Sequence, residues 1–480
     1  PYAMFDFIDK ILSSFESCFS RKAAFRWFVV LTLGLMLRSD KLGVTSVIRD
    51  LALKPDCYLS MLHFFRASSW SLDRIRQCWF QTVLRLFPLY QEGGFHVLIG
   101  DGVKQSKEGR RIPGVKKLCQ ESENSATPQF IHGHMFGGLG ILAGNIHSMA
   151  CLPLSIRLHD GLQDTFGWEA STVSDASHVV QMVEDAYLAA KTFGNSILLL
   201  DRYFLSVPAL KRLQELTSEE TVHMEIVTKA KCNCTAFEKP APRKSGRGRP
   251  PKKGKAVRLK ALFESRKEQF RETELVLYGK KEKLRYYSID LLWGQKLYRE
   301  LRFVLVEYNG TQSILAGTCL ELDPLSMIRL YSFRFRIECT FRELKQQTGA
   351  FCYHFWSKHM PRLNYYRKKT EPSALEQVES DHARRKIMQA VRAIEMHMAL
   401  SCIAMGSIQC LSLRMEGKLC SEQIRYQRTP SKGKVSEGAM MHYLRKHIFR
   451  FMWQNPGLHI TRLIQEVQDQ SEICEDLLAS

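Results

Sequence analysis

The chain contains no uninterrupted apolar run long enough to cross a membrane. Its longest, Trp27 to Leu37, has roughly half of the ~20 residues that a spanning helix requires, so it reads as a buried helix. No basic n-region with a small-residue cleavage site precedes it, which argues against a signal peptide. The 14 cysteines form no repeated C-x-x-C pair, and Cys232 and Cys234 make a lone C-x-C with no second ligand pair. Four-ligand zinc spacing is therefore missing, and free thiols in a reducing cytoplasm are expected. Internal repeats are absent, as are motifs for Ser/His/Asp or Cys/His catalysis. Acidic side chains are also in short supply, with 49 Asp+Glu against 69 Lys+Arg, a formal net charge of +20. That imbalance favours a polyanionic partner, nucleic acid before an acidic membrane, and says nothing about fold.

At 480 residues with 45% hydrophobic and 25% charged content, the chain is long enough for several globular domains. Residues 1–92 read as helical, with apolar spacing through Phe5, Ile8, Ile11 and Leu12 and again through Val47, Ile48 and Leu51. Lys54-Pro55-Asp56 separates the latter from a run Tyr58 to Phe65. This suits either a helix-turn-helix that reads DNA or plain helical packing. The texture changes at Phe95, where Phe95 to Asp101 is a buried strand ending in an acid. Ile131 to Leu142, Met149 to Leu158 and Val222 to Lys229 read as further strands, and Ser177 to Lys191 as a helix. Ser196 to Asp201 is a second buried strand tipped by an acid. Strands that meander and then alternate with helices imply an α/β fold.

Between Lys229 and Lys260 there are twelve Lys/Arg and one acid, Glu238, which reads as a basic arm. Strand patterns return from Thr273 to Val306. A helix opens at Asp323-Pro324, with Asp as N-cap and Pro at the first helical position, and is expected to run to about Gln347. The expected divisions are 1–92, 93–228, 229–318, 319–380 and a helical, basic 381–480 that offers dimerisation or DNA contacts.

Two strands that each end in Asp, with a helix carrying Glu, are a way to converge carboxylates from distant sequence. Hard divalent cations take oxygen ligands, and two such ions about 4 Å apart serve phosphodiester displacement. Singly, an Asp at a strand end caps or turns the chain more often than it binds metal. The helix is more specific: Tyr331, Arg334, Glu338 and Lys345 fall within an arc of roughly 60° at about 100° per residue. Phe333, Ile337, Phe341 and Leu344 form the adjoining apolar stripe. Glu338 would ligand metal, Arg334 and Lys345 would contact phosphates, and Tyr331 would donate a hydrogen bond.

The spacing Y-x2-R-x3-E-x6-K resembles the signature of the insertion-sequence-four group of DDE transposases. Ile99-Gly-Asp101-Gly resembles that group's first acidic strand and Leu200-Asp201-Arg202 its second, and the interval before Glu338 is similar to its β-rich insertion. The resemblance covers about residues 95 to 360. It implies an RNase H-like catalytic core interrupted by a β-rich insertion and flanked by helical regions. It further implies cut-and-paste transposition through a hairpin, with Asp101, Asp201 and Glu338 as catalytic metal ligands for two Mg²⁺ ions and Mn²⁺ able to substitute. Implied partners are double-stranded DNA with terminal inverted repeats, target DNA and a second copy in a synaptic dimer; no membrane is involved. The implied location is a prokaryotic cytoplasm, at the nucleoid. In the group an aromatic of the insertion stacks on a flipped base; Phe303 matches that position where Trp is usual, Trp293 competes, and an ordinary strand core is the plain alternative for Phe303.

Ser245 to Lys253 contains Arg247-Gly-Arg249-Pro, which resembles the core of an AT-hook, whose Arg pair enters a narrow minor groove; a phosphate-neutralising loop is the alternative. His132 and His134 share a strand face but read as structural, because Mg²⁺ chemistry prefers oxygen. Three function classes remain: an active transposase, favoured by the intact acids and the full Tyr-Arg-Glu-Lys row; a catalytically inactive or domesticated DNA-binding relative; and an RNase H-like nuclease without strand transfer.

Overall fold

A computed structural model describes residues 2–41, 43–120, 128–169, 171, 173–219, 222–241, 251–366, 368, 371–415 and 435–469. Helices come first: α1 (Tyr2–Ser13), α2 (Lys22–Leu37), α3 (Thr45–Asp50), α4 (Cys57–Phe64) and α5 (Leu72–Leu86). The sequence of α2 is apolar around its whole circumference, and the helix is correspondingly buried from Trp27 to Leu37, as a helix without a polar face must be. Helices α3 and α4 pack on it. Helix α4 contains no Lys or Arg, and its outward positions include Tyr58, Leu59 and Leu62, so it offers an apolar rather than a cationic outer face.

The sheet begins with β1 (Gln91–Glu92), β2 (Phe95–Ser106), β3 (Lys116–Cys119), β4 (Phe130–Gly144) and β5 (Met149–Leu158). Then α6 (His178–Phe193), β6 (Ser196–Leu200), α7 (Val207–Glu219) and β7 (Met224–Lys229) alternate. Strand β2 is antiparallel to β4 and parallel to β6, β4 is antiparallel to β5, and β6 is parallel to β7. The resulting order β5-β4-β2-β6-β7 has both Asp-bearing strands side by side at its centre. Only a parallel pair joined through helices places two C-terminal strand ends together in this way. The arrangement is a mixed α/β sheet with packed helices, consistent with an RNase H-like domain.

The chain continues through β8 (Thr235–Phe237), β9 (Ala256–Arg258), the short α8 (Leu262–Ser265), β10 (Arg271–Leu277), β11 (Lys280–Trp293), β12 (Arg299–Tyr308) and β13 (Thr311–Gly317). Strand β13 pairs with β7, so these strands extend one 13-stranded sheet. After α9 (Pro324–Ser332) and α10 (Arg336–Gln346) come α11 (Asp381–Arg414), α12 (Glu437–Gln454) and α13 (His459–Gln465). Helix α11 is long and apolar enough to span a membrane by length and composition, yet 89% of its apolar window is buried inside the protein. It packs along β5 and against α2, which makes it the central helix of a core shared by the N-terminal and C-terminal helices.

Two expectations need correction. Asp101 sits in the middle of β2 rather than at its tip, since the strand runs on to Ser106. The helix expected from Asp323 to Gln347 is two helices. Asp323 does cap α9, accepting from the Leu325 and Ser326 amides at 3.0 and 3.1 Å. At Phe333 to Phe335 the chain tightens, with the Phe333 and Arg334 amides donating to carbonyls only three residues back. This short-pitch turn, a 3₁₀-type departure, turns the Arg334 side chain toward Asp101.

Helix α10 lies unusually close to the sheet because Gly138 faces it. Gly138 is the cross-strand partner of Asp101, and a Cβ added there would come within 2.5 Å of the Phe341 ring. Gly138→Ala is therefore expected to push α10 off the sheet, costing about 1–3 kcal/mol by overpacking and lowering any activity that needs Glu338. Urea unfolding and a DNA-cleavage assay on the same variant check both halves.

Candidate active site

Alternate residues of a strand face opposite sides. On β2 the positions on either side of Asp101 face α6: a Cβ at Gly100 would meet Met182. Asp101 accordingly points to the other face, beneath α10. Its Oδ1 accepts from the Gly102 amide at 2.8 Å, and its Oδ2 accepts from Arg334 Nη1 at 3.2 Å. The same guanidinium donates through Nη2 to Glu338 Oε1. Asp201 follows β6 and caps a short turn, accepting from the Arg202 amide at 2.6 Å, while its carbonyl accepts from Thr228 Oγ1 at 2.9 Å. It lies within electrostatic reach of Asp101, Tyr331 and Arg334.

Of the residues expected from sequence, Asp101, Arg334 and Glu338 thus meet directly, and Asp201 and Tyr331 lie near enough for their charges to act on that cluster. Their side chains are partly sheltered, with 19% exposure at Asp101, 15% at Arg334 and 38% at Glu338. Burial raises the Asp101 carboxyl from its ordinary 3.8 to about 6; Arg334 and the Gly102 amide oppose the shift, while Glu338 and Asp201 add to it. Burial likewise raises the Tyr331 hydroxyl well above its ordinary value, which keeps it a hydrogen-bond donor. At Arg334 burial works against the charge, but Asp101, Tyr331, Glu338 and Asp201 together push its pKa up.

The donor set suits a hard divalent cation: three carboxylates, one of them partly desolvated and flanked by two more. The arrangement departs from expectation in one respect. Among the described residues no group of three or more His, Cys, Asp or Glu is placed to hold a metal ion. Arg334 instead bridges Asp101 and Glu338, setting one positive charge against the two carboxylates. A metal-binding arrangement requires that guanidinium to leave at least one carboxylate.

Other expected site residues lie elsewhere. Lys345 comes seven residues after Glu338, half-buried, with its ammonium 5.5 Å from the Phe351 ring and its pKa lowered by burial. Phe303 corrects the stacking expectation: it is fully buried in β12, paired with Ile289 and Ala316, and presents no face to a base. Trp293, at the end of β11, is partly buried against the core. Arg247 and Arg249 lie outside the described residues. His134 is structural as expected, bonded to the Tyr353 hydroxyl and, at 2.8 Å, to the Pro113 carbonyl. Cys232 and Cys234 are free thiols.

One supporting contact escaped the sequence reading. Glu92, on β1, accepts from Ser326 Oγ at 2.8 Å and Arg329 Nη2 at 2.7 Å and also takes the Tyr90 hydroxyl. It ties α9 to the start of the sheet. No local spacing links residues so far apart in the chain, so no sequence signal could have revealed it.

A family model described as DDE superfamily endonuclease matches residues 14–164. The match supports a DDE-type family. It runs from the end of α1 through β5 and includes Asp101 but neither Asp201 nor Glu338, and it covers less than half of the chain. It supports DNA cleavage in general and DNA as substrate. Proteins of this superfamily generally use divalent metals. No curated protein and no solved structure matches the chain.

The raised Asp101 pKa has a consequence for stability. The folded chain holds this proton more tightly than the unfolded chain, so between about pH 4 and 6 it binds more protons. The contribution is present in full below about pH 4 and is lost as pH rises through 6, by up to about 3 kcal/mol. Unfolding free energies of wild type and Asp101→Asn, measured without divalent ions across this range, should diverge against the wild type as pH rises. A pH-independent difference contradicts the assignment.

Proposed function

We propose that the chain is a DDE transposase of the insertion-sequence-four type, cutting DNA at transposon ends and joining the freed ends to a target. The observation that supports this reading is the Arg334 bridge between Asp101 and Glu338, from a central strand and a separate helix, with Asp201 and Tyr331 near enough to act on their charges. Asp101, Asp201 and Glu338 would hold two Mg²⁺ or Mn²⁺ ions. Bound there, divalent ions supply activation of the attacking oxygen and stabilisation of the leaving one. Arg334 exchanges its carboxylate partners for a phosphate, where a planar fork binds two oxygens at once. Tyr331, kept protonated, donates to a phosphate oxygen. Strands β8–β13 and the basic stretch around them form the insertion, with the flanking helices serving DNA contacts and a dimer on paired ends. Hairpin formation and insertion into target DNA complete the proposed sequence.

A second reading, a DNA-binding relative without catalysis, draws on the ion pairs that Arg334 makes with both Asp101 and Glu338, which could be permanent. Incubation of the purified chain with supercoiled DNA separates the two. Nicking in Mg²⁺ that stops in EDTA supports the transposase; retention of DNA with no cleavage in Mg²⁺ or Mn²⁺ supports the second reading.

A further inference from the structure

We propose that a cleft beyond the acidic cluster takes an unpaired nucleotide of the DNA substrate, with the base inside and its phosphates at the rim. The inference rests on the DNA-processing reading above. The cleft has a volume of about 710 Å³, within the range of small-molecule sites. Lys116 of β3, Lys117 and His132 line it together with Arg362, Asn364 and Tyr365. A second hollow of about 280 Å³ adjoins it through Arg362 and carries Trp356.

Register fixes its relation to the carboxylates. Asp101 pairs with Gly138 on β4, and Lys116 pairs with Gly133. Five residues of strand separate the two positions, about 17 Å at ~3.4 Å per residue. That equals about five nucleotide steps of a stacked strand, so DNA cut at Asp101 can reach the cleft.

The cleft has the chemistry of a base site. The His132 ring stacks on Tyr365, 4.0 Å between centroids and 13° from parallel. His132 Nε2 is buried with no hydrogen-bond partner, unlike His134 two residues on, whose two ring nitrogens are both taken. A buried polar atom without a partner is costly, and a ligand that hydrogen-bonds to it removes the cost. Cations sit beside aromatic faces here and in the adjoining hollow: Lys117 lies 4.4 Å from the half-exposed Phe130 ring, Arg110 of the second hollow lies 5.4 Å from Tyr365, and Trp356 there is 53% exposed. Faces for stacking beside cations for phosphates are what single strands bind. Asp164 and Glu371 also line the cleft; carboxylates repel a phosphate but accept from the amino group of a base. A paired base exposes neither its face nor its pairing edge, so the occupant is an unpaired nucleotide.

The test uses the full chain and two fluorescent DNA probes of equal length, a blunt duplex and a duplex with a five-nucleotide overhang. Wild type is expected to bind the overhang probe about tenfold tighter than the blunt one, the scale of one stacked base. Arg362→Glu, at an exposed position that leaves folding intact, and His132→Leu should each erase that preference while changing blunt-duplex affinity less than about threefold. Retention of the preference in both variants, or equal loss on both probes, overturns the inference. Displacement of the overhang probe by polyglutamate as readily as by single-stranded DNA overturns it too, in favour of an acidic peptide. Cleavage of supercoiled DNA reports the underlying reading separately: nicking without overhang preference sinks the cleft alone, and absence of both binding and nicking sinks both.

Discussion

Glu338→Gln should abolish DNA cleavage, lowering the rate at least about a thousandfold, while DNA affinity stays within about twofold of wild type. Gln keeps the size and one oxygen of Glu but removes the charge that a divalent ion requires, and a thousandfold loss corresponds to about 4 kcal/mol of transition-state stabilisation. The effect should be confined to chemistry. At 38% side-chain exposure, the ion pair of Glu338 with Arg334 is too solvated to contribute more than about 1 kcal/mol to stability. Single-turnover cleavage and filter binding on one preparation measure both quantities. A variant that binds normally and still cleaves at a tenth of the wild-type rate would show that Glu338 is not a metal ligand.

Arg334→Ala should produce the largest change in stability, and one that depends on divalent ions. Among the described residues Arg334 is the only basic side chain paired with Asp101. Without it, a sheltered carboxylate faces Glu338 and Asp201 with no counter-charge. Breaking a buried pair from one side costs about 3–5 kcal/mol; the partial exposure of this one places the loss near the lower end. A divalent ion can supply the missing charge, so millimolar Mg²⁺ should restore much of the loss, by linkage of binding to folding, and should stabilise wild type less. Cleavage should fall with it, because the phosphate contact is gone. Arg334→Lys should recover little of either, since an ammonium is a point charge and cannot bridge two carboxylates as a fork does. Urea unfolding with and without Mg²⁺ decides the matter. Equal Mg²⁺ responses in wild type and Arg334→Ala would remove the competition between the guanidinium and the metal.

The parts of this structure that were legible in the sequence are those governed by local pattern. The short apolar runs before Asp101 and Asp201, Val97 to Ile99 and Ile197 to Leu200, form strands buried on both faces of a central sheet. The Asp323-Pro324 cap starts α9 where capping chemistry places it. Helical periodicity grouped Tyr331, Arg334 and Glu338, and Arg334 does bond both Glu338 and Asp101. What escaped depends on contacts between distant segments. Periodicity treats residues 324 to 347 as one straight helix; it carries no sign of the tight turn at Phe333 to Phe335 that brings Arg334 to Asp101, on a strand more than two hundred residues earlier. For Phe303 the sequence left both a stacking role and an ordinary strand core open. An aromatic on a strand faces either core or solvent, and its burial follows from pairing with β11 and β13, which no spacing within β12 encodes. His132 and His134 looked equivalent as a strand pair, yet only the second finds two partners.

The account stands on Asp101, Asp201 and Glu338 gripping divalent ions together. Calorimetric titration of Mn²⁺ into the DNA-bound chain, for wild type and for Asp101→Asn, Asp201→Asn and Glu338→Gln, tests this most directly. Shared coordination predicts that each single change weakens Mn²⁺ binding by at least about tenfold, since even indirect partners of a metal site are worth about 10–100-fold. Equal Mn²⁺ affinity across all four proteins would contradict it.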